Sequence, residues 1–113
     1  MSRDDATLLD ILKAARLVVE FKSKLAKKAF LRDIKTQSAI LHQLLVIGEA
    51  VKRLSEEFRA QHPEIPWARI AGMRDKLIHQ YDAVDLDEIW KTVTNDIAPL
   101  ISFLEPLVPP KDQ

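Results

Sequence analysis

An all-α fold, an up-and-down bundle of four main helices, is what this chain predicts, and three observations predict it. Apolar residues recur at three- and four-residue steps along much of the sequence, which is the signature of one buried helix face. Only two glycines occur in 113 residues, and no stretch alternates apolar with polar residues as a half-buried strand would. The breaks between periodic stretches are short, so successive helices pack as antiparallel neighbours. A chain of this length is one domain with room for a hydrophobic core. Residues 1–107 are read as that domain and residues 108–113 as a flexible tail.

The elements follow in order. The first helix is predicted from Asp4 to Phe21, with Leu8, Leu12, Ala15, Val18 and Val19 on one face. Ser2 suits its N-cap, and Asp4 and Asp5 suit its first turn. A Lys-rich connector, residues 22–28, comes next and can be partly helical. The second helix is predicted as one long run from Asp33 to Ala60, its apolar side including Ile40, Leu44, Ile47, Val51, Leu54 and Phe58. Gly48 in mid-helix costs about 1 kcal/mol against Ala, so a packing reason is expected: a missing side chain lets another helix come close. His62-Pro63-Glu64-Ile65-Pro66 then breaks the helix. Pro66 suits the first position of a third helix that runs to Tyr81. After a turn at residues 82–85, Asp85 can cap a fourth helix carrying Leu86, Ile89, Trp90, Val93, Ile97 and Leu100. Pro99 should kink or interrupt it, so the bundle carries one additional short helix or a kinked last one. From Pro106 onward the chain is expected to fray.

Composition narrows the function. With 47% hydrophobic and 30% charged residues the chain is ordinary for a soluble globular protein. The absence of cysteine excludes disulfides, thiolate catalysis and Cys-based zinc sites. The three histidines lack metal-ligand spacing, so neither a metal nor another cofactor is expected. No apolar run approaches the roughly 18 residues that span a bilayer. The start, Met-Ser-Arg-Asp-Asp, is too acidic and polar for a signal peptide, so the expected location is the cytoplasm. Net charge is zero but unevenly spread. Residues 1–35 hold nine Lys/Arg against five Asp/Glu, and residues 75–113 hold three against eight. Two solvated faces of opposite sign are the plain reading, and they can also favour association with another copy or another protein.

The densest chemistry lies in Arg74-Asp75-Lys76-Leu77-Ile78-His79-Gln80-Tyr81. Asp75 and His79 are four apart and share a helix face, where a carboxylate can hold one imidazole nitrogen. Arg74 and Tyr81 are seven apart and share another face. Arg74 and His79 are five apart and diverge by about 140° on an ideal helix. Either the helix end distorts near Ile78, or two copies face each other and build the site jointly; the divergence favours a symmetric dimer with a shared cleft. Arg grips phosphate through a planar fork, and His gives and takes protons near neutrality. Together they suit cleavage of RNA by its own 2′-hydroxyl, with Arg74 stabilising the phosphorane and His79 as general base or acid. That chemistry needs neither metal nor cysteine. Against it stands the plain reading, in which Arg74 and Asp75 are surface ion-pair partners and His79 is a helix-end residue.

Wider blocks carry a resemblance. Met73 to Tyr81, then Val84-Asp85 and Ile89-Trp90, with Ile47-Gly48-Glu49-Ala50 and His62-Pro63-Glu64-Ile65-Pro66-Trp67 upstream and Asp96-Ile97-Ala98-Pro99-Leu100 downstream, resemble the HepT-like branch of the HEPN superfamily. The resemblance covers most of residues 36–100 and is loosest in the N-terminal third. It implies a HEPN-like helical bundle, a homodimer and a composite Arg-x4-His site formed by both chains. It further implies a ribonuclease toxin whose partner is a minimal nucleotidyltransferase antitoxin. Carried over by residue, Arg74 and His79 are catalytic, Asp75 is the polar residue that follows the Arg, and Tyr81 is the AMP acceptor. An AMP group on Tyr81 would add bulk and a phosphate beside the cleft and silence cleavage.

Other polar residues have plainer readings beside functional ones. Glu49 can orient Arg74 across the helix pair, or pair with Arg53 one turn away at little gain. His42 reads as a face residue, His62 as a helix-end residue near terminal carbonyls, and Trp67 and Trp90 as core anchors. Two other functions compete with the ribonuclease. One is a non-catalytic nucleotide- or protein-binding helical partner of a nucleotidyltransferase, with Arg74 holding a nucleotide phosphate. The other is an interaction domain held by its oppositely charged ends.

Overall fold

The computed structural model describes residues 2–79 and 84–108, with residues 78 and 79 described in their backbone only. Among these the fold is all helical, as the periodicity predicts. The elements are α1 (Arg3–Lys22), the single turn α2 (Lys27–Phe30), α3 (Ile34–Arg53), α4 (Glu56–Gln61), α5 (Trp67–His79), α6 (Leu86–Asn95) and α7 (Ile97–Leu104), closed by a 3-10 turn at Glu105–Leu107.

The starts are set by capping. Ser2 and Asp5 form a reciprocal capping box at α1, so two otherwise orphaned N–H groups find partners. Asp33 caps α3 through the Thr36 N–H, and Asp85 caps α6 through the N–H groups of Asp87 and Glu88. An Asp85→Ala substitution is expected to cost about 1 kcal/mol, read as a lower denaturant midpoint with unchanged slope.

Three expectations change in detail. The predicted Asp33–Ala60 helix is two helices, broken at Leu54, whose backbone is extended (φ −67°, ψ 143°). Ser55 restarts the chain as N-cap of α4, its Oγ accepting from the Phe58 N–H. Asp4 at the head of α1 accepts from both the N–H and the Oγ–H of Ser55, at 3.0 and 2.7 Å. The break turns Leu54 into the core. Ser55-Glu56-Glu57 is a readable N-cap and acidic first turn, outweighed in the sequence by the continuing apolar period. The fourth helix is interrupted at Asp96, three residues before Pro99. Proline has no N–H to donate and fits the first turn of a helix, so the chain starts afresh as α7 before reaching it. The chain also stays helical past Pro106, to Leu107; residues 109–113 lie outside the described residues.

Helices α1 and α3 run antiparallel along their length, the start of α1 meeting the end of α3 at the Asp4–Ser55 contact. Leu8, Ile11 and Val18 face Ile40, Leu44, Ile47 and Val51 in a core that Ile89, Val93, Ile97 and Leu104 complete. Helix α5 packs on α3, while α6 and α7 cover α1. Trp67 is buried and its indole N–H donates to the His62 carbonyl at 3.0 Å, so this tryptophan serves the core as expected. Among the described residues no helix is long and apolar enough to cross a membrane.

Candidate active site

The α3–α5 contact positions the candidate site, and Gly48 sets its closeness. A Cβ built on Gly48 would overlap the Cβ of Arg74 and stand 2.9 Å from its Cγ and 3.3 Å from its Cα. Only glycine allows α5 to lie this near α3, which is the close approach the mid-helix glycine predicted. The stem of Arg74 lies against the bare backbone of α3, and its guanidinium emerges beside the next residue of that helix.

There the guanidinium meets two carboxylates. Nη2 lies 3.0 Å from Glu49 Oε2 on α3, and Nη1 donates to Asp75 Oδ1 at 3.1 Å. Asp75 is also paired with Lys52, one turn after Gly48. The result is a chain of alternating charge, Glu49–Arg74–Asp75–Lys52, across the two helices. The Arg74 side chain is 27% exposed and Glu49 48%, so the cation is half sunk and its partners face solvent. Hydrogen bonds from Lys52 first and Arg74 second hold the Asp75 carboxyl below the usual carboxylate range. A lowered folded-state pKa means that this pairing supports the fold above the ordinary Asp pKa and is lost as pH falls through the lower value. Asp75 is thus ionised throughout the neutral range.

Of the expected site residues, then, the structure brings together Arg74, Asp75 and Glu49. Glu49 faces Arg74 across the helix pair, and Arg53 instead reaches Asp10 at 3.9 Å. His79 is the last residue of α5, and its side chain lies outside the described residues, as does Tyr81. The backbone of α5 is continuous from Trp67 to His79. The positions of Arg74 and His79 therefore stand about 140° apart around one helix axis, as ideal geometry requires. Lys52 is the member that sequence reasoning missed. Its place one turn after Gly48 was the available signal, since any cation there faces the helix that the glycine admits.

A family model described as ribonuclease HepT-like matches residues 11–107, nearly the whole bundle and all of the α3–α5 contact. The chain belongs to the HepT-like family. It is 47% identical over 100 residues to a Thermococcus cleftensis protein named "Probable ribonuclease HepT", a match that covers 88% of this chain and 91% of that protein. It is 40% identical over 103 residues to a Methanocaldococcus jannaschii protein named "Putative RNase MJ0127", covering 91% of this chain and 85% of that one. A Caldanaerobacter subterraneus protein named "Putative RNase TTE0752" is 41% identical over 90 residues, 80% of each chain. No solved structure matches the chain.

In this HepT-like chain a further cleft lies away from these residues. A cavity of about 270 Å³ opens on another flank of α5, between it and α6–α7, lined by Ile70, Gly72, Met73, Leu100 and Phe103 among others. Neither Arg74, Asp75 nor Glu49 lines it. Arg69 and Asp96, both in its lining, form an ion pair at 2.9 Å. The polar chain on α3–α5 lies at the surface instead, its carboxylates about half exposed. Its guanidinium has five N–H donors, and two carboxylates leave part of that fork for a phosphate.

Proposed function

We propose that the chain is a metal-independent endoribonuclease, the toxin of a toxin–antitoxin pair, with Arg74 as the phosphate-gripping residue. The observation that carries this reading is the anchoring of Arg74: its stem is seated on Gly48, and its fork is oriented by Glu49 and Asp75. A guanidinium held in advance stabilises charge that develops on a phosphorane without reorganising during the reaction. Family membership supports the same chemistry, and the Arg-x4-His spacing supplies the proton carrier.

In this mechanism the 2′-oxygen of the RNA attacks the adjacent phosphorus. A P–O2′ bond forms and the P–O5′ bond breaks, leaving a 2′,3′-cyclic phosphate and a free 5′-hydroxyl. One imidazole takes the 2′-hydroxyl proton and another returns a proton to the departing 5′-oxygen. With one Arg74 and one His79 per chain placed on diverging faces, a homodimer supplies both proton carriers to one cleft. Tyr81, two residues beyond His79, is the acceptor of AMP from a minimal nucleotidyltransferase antitoxin, and the added phosphate repels RNA and occupies Arg74.

The test is cleavage of single-stranded RNA by purified protein in EDTA. Activity that yields cyclic phosphate ends and disappears in His79→Ala supports the reading. RNA left intact by wild type, with binding to the nucleotidyltransferase retained, sinks it in favour of a non-catalytic partner. For the switch, intact mass after incubation with ATP and the transferase is expected to rise by AMP units, and Tyr81→Phe is expected to block the rise.

A further inference from the structure

The charge chain at Arg74 is balanced, two cations against two carboxylates. It can grip a phosphate at close range but has little net field with which to draw in a polyanion. That field lies elsewhere. Residues 22–35 carry Lys22, Lys24, Lys27, Lys28, Arg32 and Lys35 against one acid, Asp33. The Asp33 carboxylate is turned onto the N–H and hydroxyl of Thr36 as the cap of α3. Lys24, Lys28, Arg32 and Lys35 are exposed, and none makes an ion pair among the described residues. Like charges gathered along this segment repel each other, and a bound polyanion would relieve them.

The fold places this basic corner at a meaningful end. Phe30 of α2 is fully buried against Trp90, with ring centres 5.2 Å apart. Lys27 pairs with Asp87 at 2.9 Å. These contacts hold the corner beside the start of α6, which follows α5 after a link of six residues, 80–85. The corner therefore sits at the end of the bundle where the helix bearing Arg74 and His79 terminates.

One stripe of α3 joins the two places. Lys35, His42 and Glu49 are seven apart, and an α-helix drifts only about 20° per seven residues. Ser38 lies on the same side, and all four are exposed. From Lys35 to Glu49, the residue that holds Arg74, the stripe runs about 21 Å at 1.5 Å per residue.

We propose that the α1–α2–α3 corner and the Lys35–Ser38–His42 stripe form a track for single-stranded RNA that delivers the backbone to Arg74. The proposal rests on the ribonuclease reading and extends it to a substrate-binding site outside the cleaving centre. RNA is favoured over an acidic protein because the stripe is narrow, polar and positive at its outer end, and because it leads to the group that grips phosphate. Exposed Leu31 and Ile34 lie at the corner, and the test below separates the two occupants.

The test compares wild type with a Lys28→Glu/Arg32→Glu/Lys35→Glu variant, whose sites are all at the surface; circular dichroism and melting confirm the fold. Rates are measured on a 20-nucleotide RNA and on trinucleotides, and RNA affinity is measured against salt in a His79→Ala background. Wild type should prefer the long RNA. The variant should lose that preference, with KM for the long RNA raised at least tenfold and kcat little changed. Its log affinity against log salt should flatten by about 0.7 for each phosphate that it no longer neutralises. A variant with wild-type KM and salt slope overturns the track and leaves the ribonuclease reading standing. So does a variant that handles RNA normally but no longer binds the nucleotidyltransferase, which assigns the corner to a protein. Wild type that cleaves no RNA of either length overturns both.

Discussion

Arg74→Ala is expected to lower kcat for RNA cleavage by about 10²–10³-fold, the range seen when one preorganised donor to a developing oxyanion is removed. Stability should change little, because the pairs it breaks are partly exposed and such pairs are worth about 0–1 kcal/mol. The pairing of a large kinetic loss with a near-constant melting temperature is the informative result. Arg74→Lys sharpens it. Lysine keeps the charge but is a point donor, and it cannot span Glu49 and Asp75 as a planar fork does. It should therefore recover only a small part of the lost rate. If Arg74→Lys cleaves as wild type does, a bidentate phosphate grip is not part of the mechanism. Single-turnover rates with excess protein, alongside thermal melts, provide the measurement.

Gly48→Ala is the second large effect, and it acts through packing. The new Cβ would overlap the Arg74 Cβ, part of the rigid base of the side chain and no flexible end. Helix α5 must then move away from α3. Overpacking of this kind costs about 1–3 kcal/mol, offset by the roughly 1 kcal/mol that alanine gains over glycine in a helix. The expected outcome is a modest fall in stability with a far larger fall in cleavage, because the displaced α5 carries Arg74 away from Glu49. Gly72→Ala is the control on the same helix. A Cβ there meets nothing within 4 Å, so it should add about 0.5–1 kcal/mol and leave cleavage intact. Equal effects at both glycines would mean that helix propensity, and not the α3–α5 approach, governs the site.

Much of this protein is readable from local pattern. Ser2, Asp33 and Asp85 mark helix starts because capping joins residues two or three apart, and the sequence states such spacings outright. The motif itself was legible for the same reason, since Arg74, Asp75 and His79 lie within six residues. The break at Leu54–Ser55 was legible only in part: Ser55-Glu56-Glu57 offers a local N-cap, but the apolar period runs on through it, and the contact that completes the break comes from a distant residue, Asp4, which accepts from Ser55. Lys52 escaped for a related reason: its partner Asp75 is on another helix.

The sequence by itself determined the all-helical class, the family, and the angular relation of Arg74 to His79, because a helix turns by a constant angle per residue. Only the tertiary structure decided which groups surround Arg74. Two carboxylates were within plausible reach of sequence logic, but whether Glu49 would turn to Arg53 or to Arg74 depends on how near α5 comes to α3. That distance is set by the bare backbone at Gly48, where residues 26 positions apart in the chain meet. Spacing along one helix carries no information about which face of another will stand opposite it; packing supplies that.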